Sequence, residues 1–165
     1  MKKIICIVGM AGAGKSLVSD ELVKQGYKFL RFGQITLDKV KERGLKPVEA
    51  NEKKIREEIR KKHGMGAFAL LNIPKLDDLL KKSNVVVDGL YSWSEYKVLK
   101  EKYGDLMSVV AVFAPPEMRY ETMFTSWILP DALNLYRDNY IDIRASLTII
   151  IELTPLIGIV VYNVI

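Results

Sequence analysis

Gly9, Met10, Ala11, Gly12, Ala13, Gly14, Lys15 and Ser16 fit the spacing G-x-x-x-x-G-K-[ST], and the chemistry of that spacing is a grip on polyphosphate. Glycines let consecutive backbone N–H groups converge on phosphate oxygens at the positive end of a helix. Lys15 can reach the β- and γ-phosphates, the Ser16 hydroxyl can ligate Mg²⁺, and Leu17 closes the nucleotide-contacting stretch. A second chemical residue is Asp88, which ends the run Asn84, Val85, Val86, Val87 and precedes Gly89. In open α/β sheets ligands bind beyond the carboxyl ends of the strands, so this carboxylate is expected near the loop, holding Mg²⁺ directly or through water. Asp-Gly is also a common turn pair, which is the plainer alternative.

These residues need elements to hold them. Residues 2–8 form a short β-branched run that reads as a buried parallel strand, and residues 16–25 carry apolar side chains at helical spacing. Strand, glycine loop and helix in that order are the context the motif requires. A second strand is expected over 27–32, helices over 36–43 and 48–63, and a helical stretch over 67–72 and 75–82 that Pro74 breaks or kinks. The pattern continues with a strand over 84–89, a helix over 93–103 with Ser92 or Ser94 as N-cap, a strand over 107–114, and a helix over 117–124 with Pro116 in its first turn. Alternating strands and helices predict a three-layer α/β fold, with a parallel sheet covered by helices on both faces. The apolar run 148–165 contains Glu152 and Pro155, so it is read as a buried helix end and a final strand over 157–164, with no membrane span expected.

The chain's 165 residues suit one domain, 1–165. Its single cysteine, Cys6, excludes an intrachain disulfide and is read as core filling. No signal peptide is apparent, so the expected location is cytoplasmic. Net charge is +8 over residues 1–119 and −3 over 120–165. No aromatic-interleaved basic stripe accompanies that charge, so nucleic acid is not an expected partner. A GTPase is excluded as well, because Asp88, Gly89, Leu90 and Tyr91 lack the spaced glycine and no Asn-Lys-x-Asp occurs.

The motifs resemble those of P-loop kinase-like proteins of the dephospho-CoA kinase and adenylate-kinase-related group, often labelled AAA-family ATPases. The resemblance rests on residues 9–16, 31–38, 55–65, 85–96 and 114–120, and so on about the first 120 residues. It implies a P-loop NTPase fold of nucleotide-kinase type with strand order 2-3-1-4-5, ATP as donor and Mg²⁺ as cofactor. Such proteins follow the position of Arg119 and Tyr120 with further arginines, whereas residues 121–127 supply none.

The remaining candidates follow from that frame. Residues 33–82 form an insert expected to cover the phosphate acceptor, while 120–165 form a diverged lid and C-terminal segment. Arg56 and Arg60, one helical turn apart, can grip an acceptor phosphate or pair with Glu57 and Glu58. Arg31 ends the second strand, and Tyr91 follows Asp88 with Trp93 and Tyr96 nearby. Arg119 is the leading lid-side cation and Arg137 the next, a candidate nucleotide contact. The expected activity is transfer of the γ-phosphoryl group of MgATP to a nucleotide-like small molecule: a nucleoside, a nucleoside monophosphate or a compound of dephospho-CoA type. Lys15, Asp88 and Arg119 would carry the catalysis. The alternative is a nucleotide-binding regulatory protein with little turnover, whose apolar C-terminus serves as a homo-oligomer interface.

Overall fold

The computed structural model describes residues 2–120, 123 and 158–161. The chain runs β1 (Ile4–Val8), α1 (Lys15–Lys24), β2 (Lys28–Arg31), α2 (Gln34–Glu42), α3 (Glu49–His63), α4 (Ala67–Lys82), β3 (Val85–Asp88), α5 (Trp93–Tyr103), a single 3₁₀ turn, β4 (Met107–Phe113) and β5 (Gly158–Val161). The strands form one sheet in the order β2-β3-β1-β4-β5, and every pairing is parallel. Four strands come from the first 113 residues, and β5 comes from the apolar C-terminal run. Parallel neighbours need crossovers, and between β1 and β4 the intervening helices supply them.

Strand alternation sorts the sheet into two apolar faces. Ile4, Cys6, Val85 and Val87 point into a core shared with Val40, Ile55, Phe68, Leu76 and Leu99 from α2 to α5. Ile7, Val86 and Val112 face the other way and meet Val18 and Leu22 of α1. Val85, Val86 and Val87 are all fully buried, which is why β3 reads as a continuous apolar run with no alternation. Burial pushes the Cys6 thiol up to about 12. Cys6 is therefore expected to resist thiol reagents in the native protein and to react at the rate of an ordinary thiol only in denaturant; equal labelling in both states would contradict this core.

The helix α4 departs from its sequence expectation. Pro74 lies inside one unbroken helix, Ala67–Lys82, and does not divide it. The physical reason is orientation. Pro74 and Leu70, whose carbonyl loses its usual donor to the proline, both lie on the exposed side, where water can take the bond. The opposite side buries Phe68, Asn72 and Leu76. There the Asn72 amide donates to the carbonyls of Phe68 at 2.8 Å and Phe32 at 3.2 Å.

β5 falls within the expected final strand and pairs with Val110–Phe113 of β4. The expected helix end before it lies outside the described residues. Among the described residues no helix is long and apolar enough to cross a membrane. Residues 116–120 continue as helix after β4, as expected from Pro116.

Candidate functional site

The loop between β1 and α1 has the conformation that its glycines permit. Gly9, Gly12 and Gly14 all take positive φ, at 146°, 76° and 88°. Gly14 is the N-cap of α1 in the left-handed region, and the first turn of α1 carries no acidic residue. The positive end of the helix is thus left for an anion. The Lys15 Nζ folds back and donates to the Met10 carbonyl at 2.9 Å, while Ser16 is exposed beside it.

Two of these glycines are demanded by close packing. A Cβ on Gly9 would lie 2.3 Å from the Val112 carbonyl oxygen, and one on Gly12 would lie 2.5 Å from that of Arg119. The structure therefore seats the backbone of Arg119 directly against the loop. The Arg119 side chain turns away, donating through Nε to the Ala114 carbonyl at 3.1 Å and lying 5.8 Å from the Tyr120 ring centroid. Arg137 lies outside the described residues.

Asp88 ends β3, opposite Ile7 on β1 and opposite Arg31 on β2. The glycine loop thus begins two residues beyond the level of this carboxylate on the adjacent strand. The Asp88 Oδ1 is buried and has no hydrogen-bond partner. A carboxylate oxygen orphaned at the carboxyl edge of the sheet fits a cation ligand better than a turn residue. No cluster of three or more His, Cys, Asp or Glu capable of holding a metal occurs among the described residues.

Beside Asp88 lies a cavity of about 330 Å³, and it collects what the sequence left scattered. Arg31, Arg56, Arg60 and Tyr91 all line it, although they come from β2, α3 and the loop after β3. The three arginines are not equivalent. Arg56 is held by Glu49 and, at 3.4 Å, by Glu52, and not by the Glu57 or Glu58 that its sequence neighbourhood suggested. Glu58 instead pairs with Arg43 at 2.8 Å. Arg60 and Arg31 have no carboxylate partner among the described residues; the Arg60 guanidinium lies 5.5 Å from the Phe68 ring centroid. The Tyr91 phenol is raised above its ordinary range by partial burial and then by Asp88, with Arg31 acting in the opposite sense. Those causes place Tyr91, Asp88 and Arg31 in one electrostatic neighbourhood. Trp93 and Tyr96 stack on each other at 4.8 Å and do not line the cavity.

Glu95, Thr36 and Phe68 also line the cavity, and the sequence reading singled out none of them. Glu95 had a legible signal, because Ser92-x-x-Glu95 is a capping box. The Ser92 Oγ accepts from the Glu95 N–H at 3.1 Å, and the Glu95 carboxylate accepts from the N–H groups of Ser92 at 3.1 Å and Tyr91 at 3.0 Å. The Ser92 hydroxyl also donates to the Met65 carbonyl at 3.1 Å, tying α5 to the segment before α4. Ser92→Ala is expected to cost about 1–2 kcal/mol of unfolding free energy in a urea titration, and a change within error would deny the cap this role.

A second cavity of about 420 Å³ is lined by Lys39, Arg43, Lys62 and His63 at the C-terminal ends of α2 and α3. Cations there answer the negative ends of two helices.

The AAA domain family matches residues 5–123. A UPF0200 protein of Thermococcus onnurineus is 34% identical over 122 residues, covering 73% of this chain and 66% of that protein. A UPF0200/UPF0201 protein of Archaeoglobus fulgidus is 34% identical over 120 residues, covering 72% of this chain and 37% of that protein. This chain thus spans about two thirds or less of the length of these relatives. Similar solved structures include a shikimate kinase from Acinetobacter baumannii, at 20% identity and a TM-score of 0.44, covering 79% of this chain and 66% of that one. A sugar kinase from Janibacter is 12% identical with a TM-score of 0.46, covering 75% of this chain and 67% of that one.

Proposed function

The chain belongs to the AAA domain family, and from that premise we propose that it is a cytoplasmic phosphotransferase that moves the γ-phosphoryl group of ATP to a nucleotide-like small molecule. The observation that carries this reading is the juxtaposition of a phosphate-binding loop with a cavity containing two unpaired arginines, Arg31 and Arg60, across the orphaned carboxylate of Asp88. A nucleotide site alone needs only the loop. A transferase needs a second site within reach of it, and the insert formed by α2, α3 and α4 builds one.

The backbone N–H groups of the loop bind the donor phosphates at the start of α1, and Lys15 leaves the Met10 carbonyl to neutralise charge that grows during transfer. Ser16 and Asp88 fit a magnesium ion, which when bound supplies further charge neutralisation between the phosphates. Arg31 and Arg60 hold the acceptor at the opposite wall, and Tyr91 borders it. Arg119 adjoins the loop through its backbone, so its side chain reaches the nucleotide by leaving the Ala114 carbonyl. Arg137 remains a proposed nucleotide contact, and residues 33–82 and 120–165 remain the proposed acceptor insert and lid. The test is ADP production from MgATP with and without nucleosides, nucleoside monophosphates and dephospho-CoA, with Lys15→Ala as control.

A second reading is a nucleotide-binding regulatory protein with little turnover. The absence of arginine from residues 121–127 favours it, since a single lid arginine can contribute about 10³–10⁵ in rate. ATP binding without acceptor-stimulated ADP release would support this reading over the first. A homo-oligomer through the C-terminal apolar run belongs to it, and most of that run lies outside the described residues.

A further inference from the structure

Thr36 is a buried polar side chain with no use inside the protein. It lies in the first turn of α2 and is 3% exposed, and its Oγ1 has no hydrogen-bond partner. A helical threonine ordinarily relieves its hydroxyl on the carbonyl three or four residues back. Both of those carbonyls have donors here. Gly33 O accepts from the Thr36 N–H at 3.0 Å, and Phe32 O accepts from the Asn72 amide at 3.2 Å. Leaving such a hydroxyl unsatisfied costs about 1–3 kcal/mol, which a valine of the same shape would avoid.

The location supplies a reason. Thr36 lines the acceptor cavity, and so does Arg60, whose Nε is likewise buried and unpartnered. Buried polar or charged side chains are scarce elsewhere: Ser19, Thr36, Asn72 and Glu95 are those found among the described residues. Two of these, Thr36 and Glu95, line the cavity, and Asn72 fixes its edge by holding Phe32 and Phe68 together. Glu95 and Asn72 have both found protein partners; Thr36 and Ser19 have not, and of these two only Thr36 lines the cavity. Of the charged groups lining the cavity, Glu52 is taken up by Arg56 and Glu95 caps α5. Arg31 and Arg60, with the start of α2, which brings no acidic residue in its first turn, are the positive groups left to face an anion.

We propose that Thr36 is a specificity-determining residue of the acceptor site, hydrogen-bonding a polar group of a phosphorylated acceptor whose phosphate lies between Arg31 and Arg60. This rests on the phosphotransferase reading above and narrows it, from nucleosides and nucleotides alike to acceptors that already carry a phosphate. A site built to hydrogen-bond a substrate discriminates strongly against analogues that lack the partner group, because its own polar atoms are then left unpaired.

Calorimetric titration of the full chain tests this with ribonucleoside monophosphates, dephospho-CoA and the matching neutral nucleosides, and with ATP as a separate reference. The proteins compared are wild type, Thr36→Val, Thr36→Ser and Arg60→Ala. A phosphorylated panel member is expected to bind and its neutral counterpart to bind at least tenfold more weakly. Thr36→Val should weaken the phosphorylated ligand about three- to tenfold, Thr36→Ser should retain it, and ATP affinity should stay within twofold in both. Thr36→Val should not lower Tm, since the hydroxyl it removes has no partner. If Arg60→Ala loses the ligand and Thr36→Val does not, the cavity is the acceptor site and the role of Thr36 is overturned. If neither variant changes binding, the ligand sits elsewhere and the acceptor-cavity reading falls with it. Binding of neutral nucleosides alone, or of no panel member, overturns the proposed acceptor class.

Discussion

Lys15→Ala is expected to weaken MgATP binding about ten- to hundredfold and to lower any acceptor-dependent ADP release by about 10²–10³ beyond that. Lys15 is the only cation between Gly9 and Ser16, so nothing else in the loop can neutralise the terminal phosphates. Its present partner is a neutral carbonyl, that of Met10, and the bond lies on the surface. Loss of that bond alone removes little folding free energy, so Tm should change by no more than a few degrees. The expected result is therefore a folded protein with a defective nucleotide site. Unchanged ATP and GTP affinity in a folded Lys15→Ala protein would show that this loop is not the triphosphate site. Weakened binding without any acceptor-dependent turnover in the wild type would leave the site intact and select the regulatory reading.

Gly12→Ala should be as damaging, for a steric reason. At φ 76° an L-residue pays about 1–2 kcal/mol in backbone strain, and the added Cβ would also stand 2.5 Å from the Arg119 carbonyl oxygen. Backbone faces backbone there, so no side-chain rotation relieves the contact. Either the loop changes shape or the segment carrying Arg119 moves off it. Gly14 makes the comparison sharp, because at φ 88° it carries a similar strain, yet its Cβ would meet only the Leu17 Cδ1 at 3.8 Å. Gly14→Ala is therefore expected to lose about 1–2 kcal/mol of stability, and Gly12→Ala about 3 kcal/mol or more together with its nucleotide affinity. Urea titration and nucleotide calorimetry on both proteins check this. Equal losses in the two would mean that the packing of Arg119 on the loop contributes nothing.

The cavity gives the arginines separate fates. Arg56 and Arg60 are alike in sequence, one turn apart and surrounded by acids. Glu52 and Glu49 lie one and two turns before Arg56 on the same face of α3, and they take that side chain up. Arg60, one turn further on, lies over the ring of Phe68 on the next helix and has no carboxylate partner among the described residues. Which arginine is free depends on what α4 presents to α3.

Local chemistry in the chain sufficed for the loop and the carboxylate, whereas the strand order, which the structure bears out, was legible only through the family resemblance. A glycine pattern between a β-branched strand and a helix has few other uses, and a Val-Val-Val run must be buried on both faces to exist in water. The pair Ser92 and Glu95 marks the start of α5 by contacts only three residues apart. Of the break or kink expected at Pro74, the structure excludes the break, because the residue type shows that a donor is missing but not that the bereft carbonyl faces solvent. The cavity beside Asp88 was not legible as a cavity at all. Its walls come from β2, α2, α3, α4, the loop after β3 and α5, residues far apart in the chain whose proximity follows from four helices packing together beside the sheet. Thr36 shows the limit most clearly: in sequence it is an ordinary residue in the first turn of a helix, and only the tertiary structure buries its hydroxyl without a partner.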